Sequence, residues 1–157
     1  MKIRRAEPKD ADKILDLLSQ VLEIHAALRP DLFLTGTTKY TKEELLGLFT
    51  DDTRPVYVGV HEADQVMGYA FCMLEEQAAS HATVPFCSLY LDDLCVDQVC
   101  RGQHVGEQLF EFVKQEAIRL GCYEITLNVW TGNESAEKFY AKMGLKPKKT
   151  MLEYVLG

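Results

Sequence analysis

Between Phe86 and Trp130 the chain reads as strand, glycine turn, helix and strand, and that succession limits the fold more than anything else in it. Phe86 to Val96 is a long apolar run broken only at Asp92-Asp93. Arg101-Gly102 makes a turn. Val105, Leu109, Val113, Ala117 and Leu120 then hold the spacing of one buried helical face, which Gly121 ends. Tyr123 to Trp130 alternates as a second buried strand. Two strands joined by a helix lie parallel in one sheet, and the crossover is right-handed. An α/β domain is expected, with a mixed sheet covered by helices.

The flanking segments fit that frame. Lys2 to Ala6 reads as an opening strand, and Pro8 and Asp10 start a helix. Ala11, Ile14, Leu17, Leu18 and Val21 carry that helix towards Leu28, and Arg29-Pro30 stops it. A loop with Phe33 at its apolar centre leads to Thr41-Lys42-Glu43-Glu44, which has capping-box spacing ahead of Leu45, Leu48 and Phe49. Val56–Val60 and Val66–Leu74 flank a polar link and read as an antiparallel hairpin. Glu75 to Thr83 is a polar loop. A helix runs from Asn133 to Met143 with Gly144 as its stop, and Thr150 to Leu156 reads as a closing strand. The order is βααβββαβαβ, with a further short strand around Leu145 as an option. No repeat or linker divides the chain, so residues 1–157 are one domain, long enough to build a real core.

Charge and cysteines exclude whole classes of function. Seventeen basic against twenty-four acidic residues leave a net charge of −7, and no basic stripe offers itself to a phosphate backbone, so no nucleic acid is expected. No apolar run approaches the ~20 residues a membrane helix needs, and the first residues lack the apolar stretch of a signal peptide, so neither a membrane nor secretion is expected. The five cysteines, odd in number and without a CxxC pair, read as reduced packing residues of a cytoplasmic protein. No cysteine or histidine spacing suits a metal.

Three segments could carry chemistry. In Arg101-Gly102-Gln103-His104-Val105-Gly106 a glycine turn opens a helix, whose free N–H groups and positive end suit a phosphate or pyrophosphate. In Asn133-Glu134-Ser135-Ala136-Glu137-Lys138-Phe139-Tyr140, Asn133 fits an N-cap, and the Tyr140 phenol could either pack or donate a proton. Asp92-Asp93 sits inside an otherwise apolar strand, where ionised carboxylates are costly. Strict alternation would send the two to opposite faces.

Taken together, these segments resemble the GNAT superfamily of acyl-CoA N-acetyltransferases. The resemblance spans nearly the whole chain and rests on Arg101 to Gly106, similar to the family's R-G-x-G-x-G/A turn, and on Asn133-x-x-Ala136-x-x-Phe139-Tyr140 with Gly144-Leu145. His104 stands where the family usually has glycine. The strand Tyr90 to Val96 is similar to that of diamine (spermidine/spermine) acetyltransferases.

The resemblance implies a GNAT fold whose central sheet splays between the fourth and fifth strands to admit acetyl-CoA, with no metal. It implies backbone contacts to the pantetheine from Leu94, Cys95 and Val96. Arg101, Gly102, Gln103, His104, Val105, Gly106 and Glu107 would cradle the pyrophosphate, and Asn133 and Ser135 would contact the cofactor arm. Tyr140 would protonate the departing thiolate and Asp92 would act as base. Asp93, Glu75, Phe33 and His25 are the residues expected to meet the acceptor. That acceptor is a primary amine, either a polyamine or other small cationic amine, or a peptide amine such as a protein N-terminus or lysine. A non-catalytic acyl-CoA sensor is the alternative of another class, and a homodimer is left open.

Overall fold

The computed structural model describes all residues 1–157. The strands are β1 (Lys2–Arg5), β2 (Val56–Val60), β3 (Val66–Gln77), β4 (Phe86–Val96) and β5 (Glu124–Thr126). The helices are α1 (Ala11–Leu28), α2 (Lys42–Phe49), α3 (Val105–Arg119) and α4 (Glu134–Lys142). The strands form one sheet in the order β1-β2-β3-β4-β5. The first four are antiparallel and β4–β5 is parallel. The α/β architecture and the mixed sheet read from the sequence are both present.

Period-two alternation sorts the core into two layers. Val56, Val58, Val60, Tyr69 and Phe71 point to the face covered by α1 and α2, against Ile14, Leu17, Leu18, Leu45 and Leu48. Tyr57, Ala70, Cys72, Leu89 and Leu91 point to the other face, against Phe110, Val113 and Ala117 of α3. Thr41 caps α2 through the expected reciprocal box, its side chain accepting from the Glu44 N–H and the Glu44 carboxylate accepting from the Thr41 N–H. At Gly68 the β3 backbone passes so close to β4 that a Cβ would lie 2.6 Å from the Cys95 carbonyl oxygen.

Several boundaries differ from the sequence reading, each for a physical reason. A 3-10 turn, Pro8–Asp10, precedes α1. β3 runs past Leu74 to Gln77 because Glu75–Gln77 pair with Phe86–Ser88. β5 is only three residues long, since β4 offers it partners only from Ser88 to Tyr90. The expected strand at Thr150–Leu156 is not formed, and neither is one around Leu145. The Leu145 N–H closes the end of α4 on the Tyr140 carbonyl, and no residue after it makes a backbone hydrogen bond.

The register of β4 carries a consequence for the acids. Phe71 faces Asp93 while the next residue, Cys72, faces Leu91, so Asp92 is the extra residue of a β-bulge. The bulge cancels the alternation that would have separated the two carboxylates. Asp93 accepts a hydrogen bond from Tyr69, a member of the α1/α2 core, and Asp92 is bound by Lys39 from the loop leading into α2. Both carboxylates therefore serve the α1/α2 side.

Candidate active site

The site is built where β4 and β5 part. Only Ser88, Leu89 and Tyr90 pair with Glu124, Ile125 and Thr126. Beyond Tyr90, β4 continues to Val96 while Leu127–Trp130 pairs with no strand, which opens a V between them. Leu91 to Val96 line one arm of the V. α3 begins beyond its open end, and α4 packs below it through Phe139 and Tyr140.

At the start of α3 the sequence departs from the usual helix cap. Gly102 has φ +78° and His104 has φ +60°, both left-handed, and His104 makes no side-chain cap. The first backbone bond of the helix is from the Gln108 N–H to the His104 carbonyl at 3.1 Å. That leaves the N–H groups of Val105, Gly106 and Glu107 free of helical partners, as an anion site requires. A Cβ at Gly106 would sit 3.4 Å from the Phe139 ring and from Val96, so glycine there lets α3, α4 and β4 meet. Arg101, Gly102, Gln103 and His104 are exposed on the same turn, with Arg101 the cation among them. Free donors, an adjacent arginine and the parted strands fit a pyrophosphate with a narrow arm running into the V. Asn133 caps α4, its side-chain oxygen accepting from the Ala136 N–H at 3.3 Å, and Ser135 is exposed on the first turn.

The reacting groups would sit deeper. Burial pushes the Asp93 carboxyl up to about 6, against the opposing pull of the Tyr69 hydroxyl and the Lys39 charge. Tyr69 donates to it at 2.6 Å. Asp92 is engaged differently, its Oδ2 lying 2.6 Å from Lys39 Nζ. Tyr140 is half-buried, edge-on to Phe139 with ring centroids 5.1 Å apart. Burial raises its phenol well above the ordinary tyrosine range, and the Asp93 charge adds to the effect. Leu94 and Val96 are half-buried along β4. The Cys95 side chain is packed into the α1/α2 core, where burial pushes its thiol up to about 12, so only its backbone is open to the cleft.

The opposite mouth of the V is aromatic. His25 at the end of α1 meets Phe33 at 5.3 Å, and Phe33 meets Trp130 edge-on at 5.6 Å. Arg29 lies 5.7 Å over the Trp130 ring. Lys39 lies 5.5 Å over the Tyr40 ring, which stacks on Phe71. The structure thus brings Phe33 and His25 together with Trp130, and Asp92 and Asp93 together with Lys39 and Tyr69. Glu75 is elsewhere, exposed on β3 opposite Ser88 at the paired end of the V. Lys39, Tyr69 and Trp130 were not singled out from the sequence. Trp130 is the chain's one tryptophan and could have drawn notice, but a lysine in a polar loop carries no such signal.

Comparison with known proteins agrees with this geometry. The acetyltransferase (GNAT) family matches residues 18–145, and the chain belongs to that family. It is an acetyl-CoA-dependent N-acetyltransferase. The peptidyl-lysine N-acetyltransferase YjaB of Escherichia coli is 32% identical over 114 residues, 73% of this chain but just under two thirds (64%) of that protein's length. Its Salmonella typhimurium namesake is 26% identical over 146 residues, 93% of this chain and 83% of that protein. Among solved structures, a tetramutant of the BH1408 protein from Bacillus halodurans superposes with a TM-score of 0.94 at 27% identity, covering 99% of this chain and 100% of that one.

Proposed function

We propose that this chain acetylates the primary amine at the end of a flexible alkyl chain, the aminobutyl end shared by a lysine side chain and a polyamine. The observation that carries this is the seating of Lys39. Its ammonium is 2.6 Å from Asp92 and lies over the Tyr40 ring, so the mouth of the cleft already accommodates a primary alkylammonium on a four-carbon stem. The name of the Escherichia coli and Salmonella relatives supports the lysine form of that group.

Asp93 is the better base of the pair. Asp92 is held by a lysine, whereas Asp93 is half-buried with its carboxyl near 6, ionised at neutral pH and still basic enough to take a proton. The acceptor ammonium gives one proton to Asp93, directly or through water, and the freed nitrogen lone pair attacks the thioester carbonyl carbon. A backbone N–H of the bulged strand donates to the oxygen as it gains charge. The carbon–sulfur bond then breaks, the thiolate takes its proton from Tyr140, and the attacking nitrogen gives up its second proton through water to the phenolate, which restores Tyr140 and leaves a neutral amide. Burial keeps that phenol protonated throughout the working pH range. Leu94, Cys95 and Val96 hold the pantetheine arm by their backbones, and Arg101 to Glu107 hold the pyrophosphate.

The test is thiol release from acetyl-CoA against matched acceptors: a lysine peptide, the same peptide with its lysines dimethylated and N-terminus blocked, a diamine and a polyamine. Turnover with the lysine peptide or the amines, and none with the dimethylated peptide, supports the reading. Turnover confined to peptide α-amines would overturn it.

A further inference from the structure

α3 ends in a way that fixes one cysteine beside another. Gly121, at φ +73°, turns the chain out of the helix. The Gly121 N–H bonds the Ile118 carbonyl at 3.0 Å and the Cys122 N–H bonds the Ala117 carbonyl at 2.9 Å, the paired bonds of a Schellman motif. One residue on, the Tyr123 N–H bonds the Cys87 carbonyl of β4 at 2.8 Å. Cys87 is itself paired with Glu76 of β3. Both backbones are thus held in place, and the Cys87 and Cys122 Sγ atoms lie 2.9 Å apart.

The other cysteines are not arranged like this. Cys72 and Cys95 are buried, and neither they nor Cys100 has a second sulfur within bonding reach. Cys87 and Cys122 are half-buried, so a small reagent can reach them where a core thiol would be hidden. Alternation along β4 puts Cys87 on the face of Leu89 and Leu91, and Cys122 packs against that same α3 layer. The sulfurs therefore meet on one face, and a bond of about 2.05 Å needs rotation of side chains rather than movement of strands.

We propose that Cys87 and Cys122 are a reversible redox site, a dithiol that a small-molecule disulfide oxidises to an intrachain disulfide. The Cys87 thiolate attacks one sulfur of the reagent and expels its other half as a thiolate, leaving a mixed disulfide on Cys87. The Cys122 sulfur gives its proton to solvent and attacks Cys87 Sγ, and the second half of the reagent leaves. The chain gives up two electrons and two protons, and the reagent becomes two thiols. Burial and the adjacent Cys87 hold the Cys122 thiol above its ordinary range, which suits it to the second step, where its target is already beside it. The new bond closes residues 87–122 into a loop that contains the cleft arm Leu91–Val96, the Arg101–Glu107 turn and all of α3. It lies at the paired end of the V, so it braces the base of the cleft and touches no reacting group. Constraining that stretch of the unfolded chain stabilises the fold.

The test is to incubate the reduced native chain with oxidised glutathione at mildly alkaline pH, quench in acid and weigh it intact. The expected result is a loss of two hydrogens with no glutathione retained, and two of the five thiols gone when the chain is unfolded. Peptide mapping should join Cys87 to Cys122, and dithiothreitol should restore all five thiols. Cys122→Ser should stop at one glutathione held on Cys87, and Cys87→Ser should form no internal bond. If a serine variant does not fold, the map of the native chain decides. The oxidised chain should melt higher than the reduced one by about 5 °C or more. Glutathione retained on Cys87 of the native chain, a bond joining any other pair, or five thiols surviving the treatment would each overturn the site. Ring closure with no rise in melting temperature would overturn the bracing role.

Discussion

The Tyr69 hydroxyl donates to Asp93 at 2.6 Å, joining a fully buried phenol to the one carboxylate that the β4 bulge turns inward beneath α1 and α2. The bond favours the charged carboxylate while burial disfavours it, and burial wins, leaving Asp93 near 6. As the proposed base, Asp93 links the chemistry of the site to the stability of the fold.

For the chemistry, kcat/KM should fall below a pH near 6 as Asp93 takes up its proton. Tyr69→Phe removes a bond to the charged form and should move that limb to higher pH. Asp92→Asn removes a neighbouring negative charge and should move it to lower pH. Asp93→Asn should abolish the limb and leave turnover only towards the amine's own pKa of about 10. Profiles of the three variants decide the matter, and a limb unchanged in Asp93→Asn would place the base elsewhere.

For stability the sign is opposite to that of a salt-bridged acid. The folded Asp93 carboxyl is near 6 and its ordinary value is 3.8, so the fold favours the protonated form. The stabilisation is fully present below 3.8 and is lost as pH rises through 6. Asp93→Asn should therefore stabilise the protein at pH 7, by at most about 3 kcal/mol and by less to the extent that water screens a half-buried group. The advantage should vanish towards pH 3.5 or so. Urea unfolding of both proteins across that range checks it, and a difference independent of pH would contradict it.

Cofactor anchoring separates two residues of one turn. Arg101→Ala should weaken CoA binding by about 1–3 kcal/mol, the worth of a charge-assisted bond. His104→Gly should act on stability instead, because His104 is held at φ +60°, a conformation that costs a non-glycine residue about 1–2 kcal/mol. The glycine variant should melt higher than the parent and keep its activity. Calorimetry with CoA and thermal melts of both variants read the two effects, and unchanged CoA affinity in Arg101→Ala would remove that residue from the anion site.

Close approach at Gly68 gives a test of the sheet itself. With the Cys95 carbonyl oxygen 2.6 Å from any added Cβ, and Leu109 and Val105 within 3.3 Å, Gly68→Ala must push β3 from β4 or α3 from the sheet. Overpacking of this kind costs about 1–3 kcal/mol. Denaturant midpoints should fall accordingly, and a neutral substitution would mean that the strands yield more easily than the packing suggests.

What could be read from the sequence was whatever depends on period and local signals. The α1 and α3 faces, the Thr41–Glu44 box and the Arg101–Gly106 turn each follow from residues near one another in the chain. Register does not. The bulge at Asp92 is fixed by where β3 lies against β4, and alternation alone sent the two acids to opposite faces. Lys39 reaches Asp92 from 53 residues away and Tyr69 reaches Asp93 from 24, so neither partner had a spacing to betray it. The closing strand is a related case: Thr150–Leu156 has the composition of a strand, but composition does not set backbone pairing, and the segment makes no backbone bond to the open edge of β5.

Tyr140 offers the sharpest separation of chemistry from folding. Its ring packs against Phe139 and the α3 layer, and its hydroxyl bonds no other side chain. Tyr140→Phe therefore keeps the packing and removes only the hydroxyl, the group proposed to protonate the thiolate. Melting temperature and CoA affinity should stay within error of the parent. Turnover should fall by about 10²–10⁴ if the phenol is the sole acid. The loss should be smaller with an acyl donor whose thiol is more acidic, since a better leaving group needs less help. The measurement is kcat for parent and variant with two donors of differing thiol pKa. A loss equal for both donors would mean that the hydroxyl positions the thioester rather than protonating its sulfur.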